Sequence, residues 1–247
     1  MPDLLPRNPS EALSKITIGI RHQRHFGIMD SSGRIVDIIA KDSDSPFGKG
    51  FFTQIGMGVG RERRISTADG GSYIDVTTDD LIFQYTLPKD KDFNAAFNWV
   101  VDTCLPFFKD KILKPHHVTE YQRLGIIFGH RLPAPHAIDE MLTSLTSKMS
   151  DPETLMLRVS KKLAVPQALA MKGVDDYRNV ILTLNKSDAK QLEADVDIQH
   201  YFNPFPDNLD DFKGYPSFFR EAKELLFSTY HPMLAERFFP KPLGALA

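Results

Sequence analysis

Asp195 and Asp197 stand two residues apart in Ala194–Phe202, a stretch with the alternation of a β-strand, so both carboxylates leave from one face. Paired carboxylates are what divalent-metal phosphoryl chemistry uses, and Asp207, Asp210 and Asp211 follow in the adjoining loop. The plainer alternative is a polar outer face at a sheet edge, followed by a solvated loop. His22 and His25 are the first histidines to weigh as metal ligands. Strand residues three apart point to opposite faces, so these two imidazoles share an ion only if a turn or bulge intervenes. His116 and His117, together with His130 and His136, surround the next strong strand, the last two flanking a Pro-Ala-Pro turn. No carboxylate stands at the helical spacing of a His-Glu-x-x-His site. The pattern therefore assigns no cofactor and no catalytic residue, and leaves Asp195 and Asp197 as the candidates should an ion bind.

Other patterns point away from catalysis. The alternate glycines of Gly56-Met-Gly-Val-Gly60 lie inside a strand rather than between a strand and a helix, which is not the setting of a dinucleotide fingerprint. Cys104 shares an apolar helix face with Val100, Val101 and Phe108, the place of a packing cysteine rather than a nucleophile. No nucleophile-elbow pattern is present. Two kinds of surface could instead bind a partner. Arg61, Arg63, Arg64, Lys161 and Lys162 form basic runs suited to phosphates, with Arg61 and Arg63 on one strand face and Tyr73, Phe83 and Tyr85 near enough to stack on bases. Phe202, Phe205, Phe212 and Tyr215 crowd a Pro-rich loop, either as an exposed anchor patch or tucked under the helix that follows.

Composition sets the frame for these sites. With 30 basic and 32 acidic residues the net charge is −2, unlike the basic excess of a dedicated nucleic-acid binder. A 42% hydrophobic fraction with 18 phenylalanines is ample for a core in 247 residues. The single cysteine excludes an internal disulfide and a cysteine-based zinc site. Residues 1–14 hold Pro2, Pro6 and Pro9 but no apolar core, and no apolar run approaches the ~18 residues of a membrane span. A cytoplasmic protein with no membrane association is the expectation.

The positioning elements fall into two similar halves, 15–117 and 118–247, after the lead-in 1–14. In the first, a strand at Ile16–Ile20 continues toward Phe26 and Ile28. Ile35, Val36, Ile38 and Ile39 then suit one face of a short helix, or a returning strand. Gln54–Arg64 reads as one strand, Ala68–Gly71 as a hairpin turn and Tyr73–Val76 as its return. Leu81–Leu87 precedes an aromatic-rich helix, Phe93–Ile112. In the second half, Tyr121–Leu132 is a strand whose Leu124-Gly125-Ile126 echoes Ile18-Gly19-Ile20. Ala137–Met149 reads as a helix, then Leu155–Val165, Arg178–Leu184 and Ala194–Phe202 as strands. The closing helix places Phe218, Phe219, Ala222, Leu225 and Leu226 on one stripe. Each long helix carries an internal proline, Pro106 or Pro232, thirteen residues after Phe93 or Phe219.

This order predicts an α+β fold, pseudo-duplicated as strand, helix, strands and long helix, with curved antiparallel sheets or one continuous sheet gripped by two long helices in a helix-grip or saddle-like manner. Four motifs carry a further likeness: Phe26-Gly-Ile-Met-Asp-x-x-Gly-x-Ile-Val-Asp37, Val76-Thr-Thr-Asp-Asp-Leu-Ile-Phe83, Arg123-Leu-Gly-Ile-Ile-Phe128 and Asp195-x-Asp197. On these the chain resembles a sporadically distributed family of uncharacterised prokaryotic proteins, a resemblance that implies no activity, substrate or cofactor. The expected role is non-catalytic: an interaction or adaptor protein with a protein partner. Nucleic-acid binding across a saddle-like sheet is the alternative, followed by a metal-dependent enzyme.

Overall fold

The computed structural model describes residues 6–57, 63–90, 92–133, 155–165, 175–186, 191–211 and 215–239. Its framework is one antiparallel sheet of nine strands: β1 Leu13–His22, β2 Gln54–Met57, β3 Arg63–Ser66, β4 Tyr73–Val76, β5 Asp80–Thr86, β6 Tyr121–Pro133, β7 Leu155–Ala164, β8 Tyr177–Lys186 and β9 Gln191–Tyr201. Their spatial order is β2-β3-β4-β5-β1-β6-β9-β8-β7. The first strand of each half stands at the centre, the last strand of that half lies beside it, and the remaining strands count down toward the edge. β1 and β6 pair with Ile18 opposite Ile126, Gly19 opposite Gly125 and Ile20 opposite Leu124. The two echoing tripeptides are thus brought face to face on the central seam.

Alternation sorts every strand into two faces. Ile16, Ile18 and Ile20 of β1, Leu81 and Phe83 of β5, Leu124, Ile126 and Phe128 of β6, and Val196 and Ile198 of β9 are all buried on one of them. Helices cover that face. α1 (Pro9–Ala12) is capped by Asn8, whose side chain accepts from the Glu11 amide at 3.0 Å. α2 (Phe26–Asp30) and α3 (Ser32–Lys41) follow β1, α3 sinking Ile35 and Ile39 into the core. α4 runs unbroken over 93–116, starting where the Asp92 carboxylate accepts from the Asn94 and Ala95 amides. It ends where His117 turns left-handed, at φ 54°. α5 runs over 215–238 in the same unbroken way. Among the described residues no helix is long and apolar enough to cross a membrane.

Both long helices widen into π-helical turns ahead of their prolines, at Trp99–Cys104 before Pro106 and at Leu226–Tyr230 before Pro232. A helix-interior proline lacks an amide hydrogen and its ring collides with the carbonyl four residues back. The wider turn moves that carbonyl away, and the helix continues. Aromatic rings join the layers. Phe47 packs 5.5 Å from Phe83 and 5.9 Å from Phe108, Phe97 stacks 6.3 Å from Phe128, and Phe93 meets Phe227 of α5 edge-on at 5.6 Å. One large core cluster therefore spans both sides of the β1–β6 seam, and a smaller one gathers Leu132, Leu184, Leu192 and Leu234.

Three local expectations differ from the structure. β1 stops at His22, and Phe26 and Ile28 lie in α2 rather than in a continuing strand. Gln54–Arg64 is not one strand: β2 and β3 pair antiparallel, Gln54 opposite Ser66 and Met57 opposite Arg63. Part of the lead-in is helical. The residues Ile35–Ile39 are helical, as their spacing favours, while the helix expected over Ala137–Met149 lies outside the described residues. Phe108 is fully buried against three other aromatic rings. Phe108→Ala is expected to cost about 3–5 kcal/mol of stability, measured by urea unfolding.

Candidate functional site

The other face of the sheet has no helix on it among the described residues. β9 sends Glu193, Asp195, Asp197, Gln199 and Tyr201 to this side, and the register sets them beside Arg123, Gly125, Ile127, Gly129 and Arg131 of β6. Both aspartates do leave from one face. β9, however, is the seventh strand of nine and lies between β6 and β8, so their setting is not a sheet edge. A cavity of about 170 Å³ on this side is lined jointly by Gly71, Gln84 and Thr86 from one half and Arg131 and Glu193 from the other.

A linked set of side chains crosses this open face. Arg123 Nη1 donates to the Tyr201 hydroxyl at 3.4 Å, Tyr201 donates to Gln199 Oε1 at 2.8 Å, and Gln199 Nε2 donates to Asp197 Oδ2 at 2.6 Å. Lys15 Nζ lies 3.2 Å from Asp195. Its aliphatic stem is laid over Gly129, where a Cβ would fall 2.3 Å from Lys15 Cγ and Cε. Tyr201 stacks on Tyr177 at 4.7 Å with rings 6° from parallel, and Lys162 Nζ caps Tyr177 at 4.0 Å. Arg21 grips Asp80 through Nε at 3.0 Å and Nη2 at 2.7 Å.

Burial raises the pKa of Asp195 against the pull of Lys15. It pushes Asp197 up to about 6, against the Gln199 hydrogen bond and the charges of Arg123 and Arg158. The carboxylates are held by a lysine and an amide, and among the described residues no three histidine, cysteine or acidic groups are placed to share an ion. This surface carries charged and hydrogen-bonding groups, with Asp195 and Asp197 both held above the usual carboxylate range.

The basic residues do not form one strip. Arg61 lies outside the described residues. Arg63 faces the helices and donates to Ser32 Oγ at 3.0 Å, while Arg64 faces the open side, bound to Asp75 at 2.7 Å and lying 4.2 Å over Tyr73. Phe83 and Tyr85 are buried under the helices and offer no ring to a base. Lys161 and Lys162, on opposite faces of β7, stand at the far end of the sheet from β3. Of the loop aromatics, Phe202 and Tyr215 are buried, Phe205 is exposed and Phe212 lies outside the described residues. Cys104 is fully buried.

Histidines meet elsewhere than local sequence indicated. His22 ends its strand with Nδ1 on the Gln23 carbonyl at 2.7 Å, and His116 closes α4 on the Ile112 carbonyl at 2.6 Å. His130 reaches His231, 101 residues away on α5, with Nε2 to Nε2 at 3.1 Å. Its Nδ1 is 3.2 Å from the Ala194 carbonyl, so His130 carries its proton there, His231 donates through Nε2, and Ser10 donates to His231 Nδ1 at 3.4 Å. Burial lowers both imidazoles to about 4, that of His130 further reduced by His231. Such weak bases suit a neutral pin between α1, α5 and β6, not activation of Ser10. No spacing in the sequence announces a strand–helix pair so far apart. Beneath α5 a second polar group is buried: His200 Nε2 lies 2.8 Å from Asp176, and Arg178 Nη2 donates to Glu221 at 3.0 Å.

No protein-family model matches the chain, and no curated protein matches it.

Titration here has two opposing signs. Asp197 is raised from 3.8, so its contribution is full below that value and is lost as pH rises through about 6. His130 and His231 are lowered from 6.5, so theirs is present above 6.5 and is lost as pH falls to about 4. Asp197→Asn is expected to raise stability at pH 7 by no more than about 3 kcal/mol. It should also steepen the remaining loss of stability between pH 6.5 and 4, read from melting temperatures across that range.

Proposed function

We propose that the protein is a non-catalytic interaction protein that binds another polypeptide as part of a complex, in a cytoplasmic setting. The observation that carries this reading is the edge strand β7. Among the described residues no strand pairs with its outer edge, and along its ten residues Leu157 and Val159 on one face are 37% and 55% exposed and Met156 on the other 70%. Such an edge is a template for pairing with another chain. The opposite edge, β2, has four described residues. Within this reading the two halves are a duplicated helix-grip unit, which the mirrored strand order, the facing Ile-Gly-Ile and Leu-Gly-Ile segments and the matched π turns before Pro106 and Pro232 all support.

Nucleic-acid binding across the open face is the competing reading. Lys15, Arg21, Arg123 and Arg158 favour it, while Asp75, Asp80, Glu193, Asp195 and Asp197 on the same face would repel phosphate. Native mass spectrometry of the protein isolated gently from its source separates the two. The 28.0 kDa chain is expected to carry a second polypeptide that Val159→Glu releases without lowering the melting temperature. A bound oligonucleotide would favour the competing reading. A bare monomer, or a polypeptide that Val159→Glu retains, would overturn β7 as the binding edge.

A further inference from the structure

The polypeptide-binding reading leaves open what kind of segment β7 takes, and the two faces of that strand answer it. Register with β8 sets Leu157 opposite Leu184 and Val159 opposite Leu182. Leu184 is buried and Leu182 packs against the core, so Leu157 and Val159 continue the helix-side apolar layer one strand beyond its present cover. On the open side the same register places Arg158 opposite Thr183 and Lys162 opposite Asn179. No acidic residue occurs between 155 and 164, whereas Arg158, Lys161 and Lys162 all do. A second copy of β7 would bring these cations together across one seam, and like charges across a seam oppose pairing.

We propose that β7 receives an extended segment of another protein that alternates apolar and acidic residues, added as an antiparallel or parallel tenth strand. This rests on the polypeptide-binding reading and deepens it. The partner's apolar side chains cover Leu157 and Val159 on the helix side. Its carboxylates meet Arg158 and Lys162 on the open side, and its backbone takes the edge of β7 that no described strand occupies. The alternation is dictated by the strand period, because an added strand presents successive side chains to opposite faces. β9 shows that this pattern fits the sheet: Leu192-Glu193-Ala194-Asp195-Val196-Asp197-Ile198 buries its apolar residues under the helices and turns its acids to the open face.

The test uses the full chain and a labelled ten-residue peptide, the length of β7, alternating valine and glutamate, followed by fluorescence anisotropy. The peptide is expected to bind, to weaken with salt, and to bind about tenfold better than a valine–lysine peptide. Arg158→Glu with Lys162→Glu should reverse that preference. Two further peptides leave the protein untouched, each N-methylated on every second amide, in opposite phases. A strand edge uses alternate amides, so one should bind and the other fail. The proposal is overturned if neither unmodified peptide binds, if the two bind equally, if both methylated copies bind, or if the protein itself dimerises through β7. Should the peptides fail while a native complex with a polypeptide still forms, the interaction role stands and the occupant proposed for β7 falls.

Discussion

The structure depends on the ladder between β1 and β6. These are the strands on either side of the central seam, and every other described strand lies outward from one of them in descending chain order. The ladder is long and nearly regular, running from Leu13 opposite His130 to His22 opposite Tyr121, with a shift at each end. Because the side-chain period is two, a slip by one residue would turn Ile16, Ile18 and Ile20 out of the core and expose Thr17 and Gly19 to the helices. Burial of Ile18 and Ile20 against Ile126 and Leu124 therefore fixes both the pairing and the sidedness of all nine strands.

From that sidedness follows a division of labour. The helix-covered face is held by aromatic packing around Phe47, Phe83 and Phe108, with polar groups admitted in pairs such as His130–His231 and Arg178–Glu221. The open face is held by charge and hydrogen bonds, from Asp80–Arg21 through Arg123, Tyr201 and Gln199 to Asp197. Burial holds both of its aspartates above the usual carboxylate range, and among the described residues no metal-type cluster surrounds them.

Much of this was legible in residue pattern. Strand alternation located β1, β5, β6, β7, β8 and β9, the turn at Ala68–Gly71 located β4, and the apolar stripes located α4 and α5 and favoured a helix over a returning strand at α3, because burial on one side writes a period into sequence. The shared face of Asp195 and Asp197 followed from the same period. What pattern could not supply was long-range. The hairpin between β2 and β3 hid in a run whose glycines and apolar residues also suit one strand. The separation of Arg63 from Arg64, and of both from Lys161 and Lys162, depends on strand order. His231 as the partner of His130 depends on how α5 lies over β6. Phe202, just past β9, and Tyr215, at the start of α5, are buried, which no local spacing states.

The central seam also sets a timetable. All of β2 to β5 and the whole of α4 lie in the chain between β1 and β6. Closing so large a loop is entropically costly and slow, whereas β3 with β4 and β4 with β5 are neighbours joined by short turns. On a ribosome, β1 is made long before its partner β6 exists, so the edge that takes β6 has no such partner until residues 121–133 emerge. The nascent chain therefore carries, for a defined interval, a bare isoleucine-rich strand edge, the point at which a chaperone or a wrong neighbour would find it.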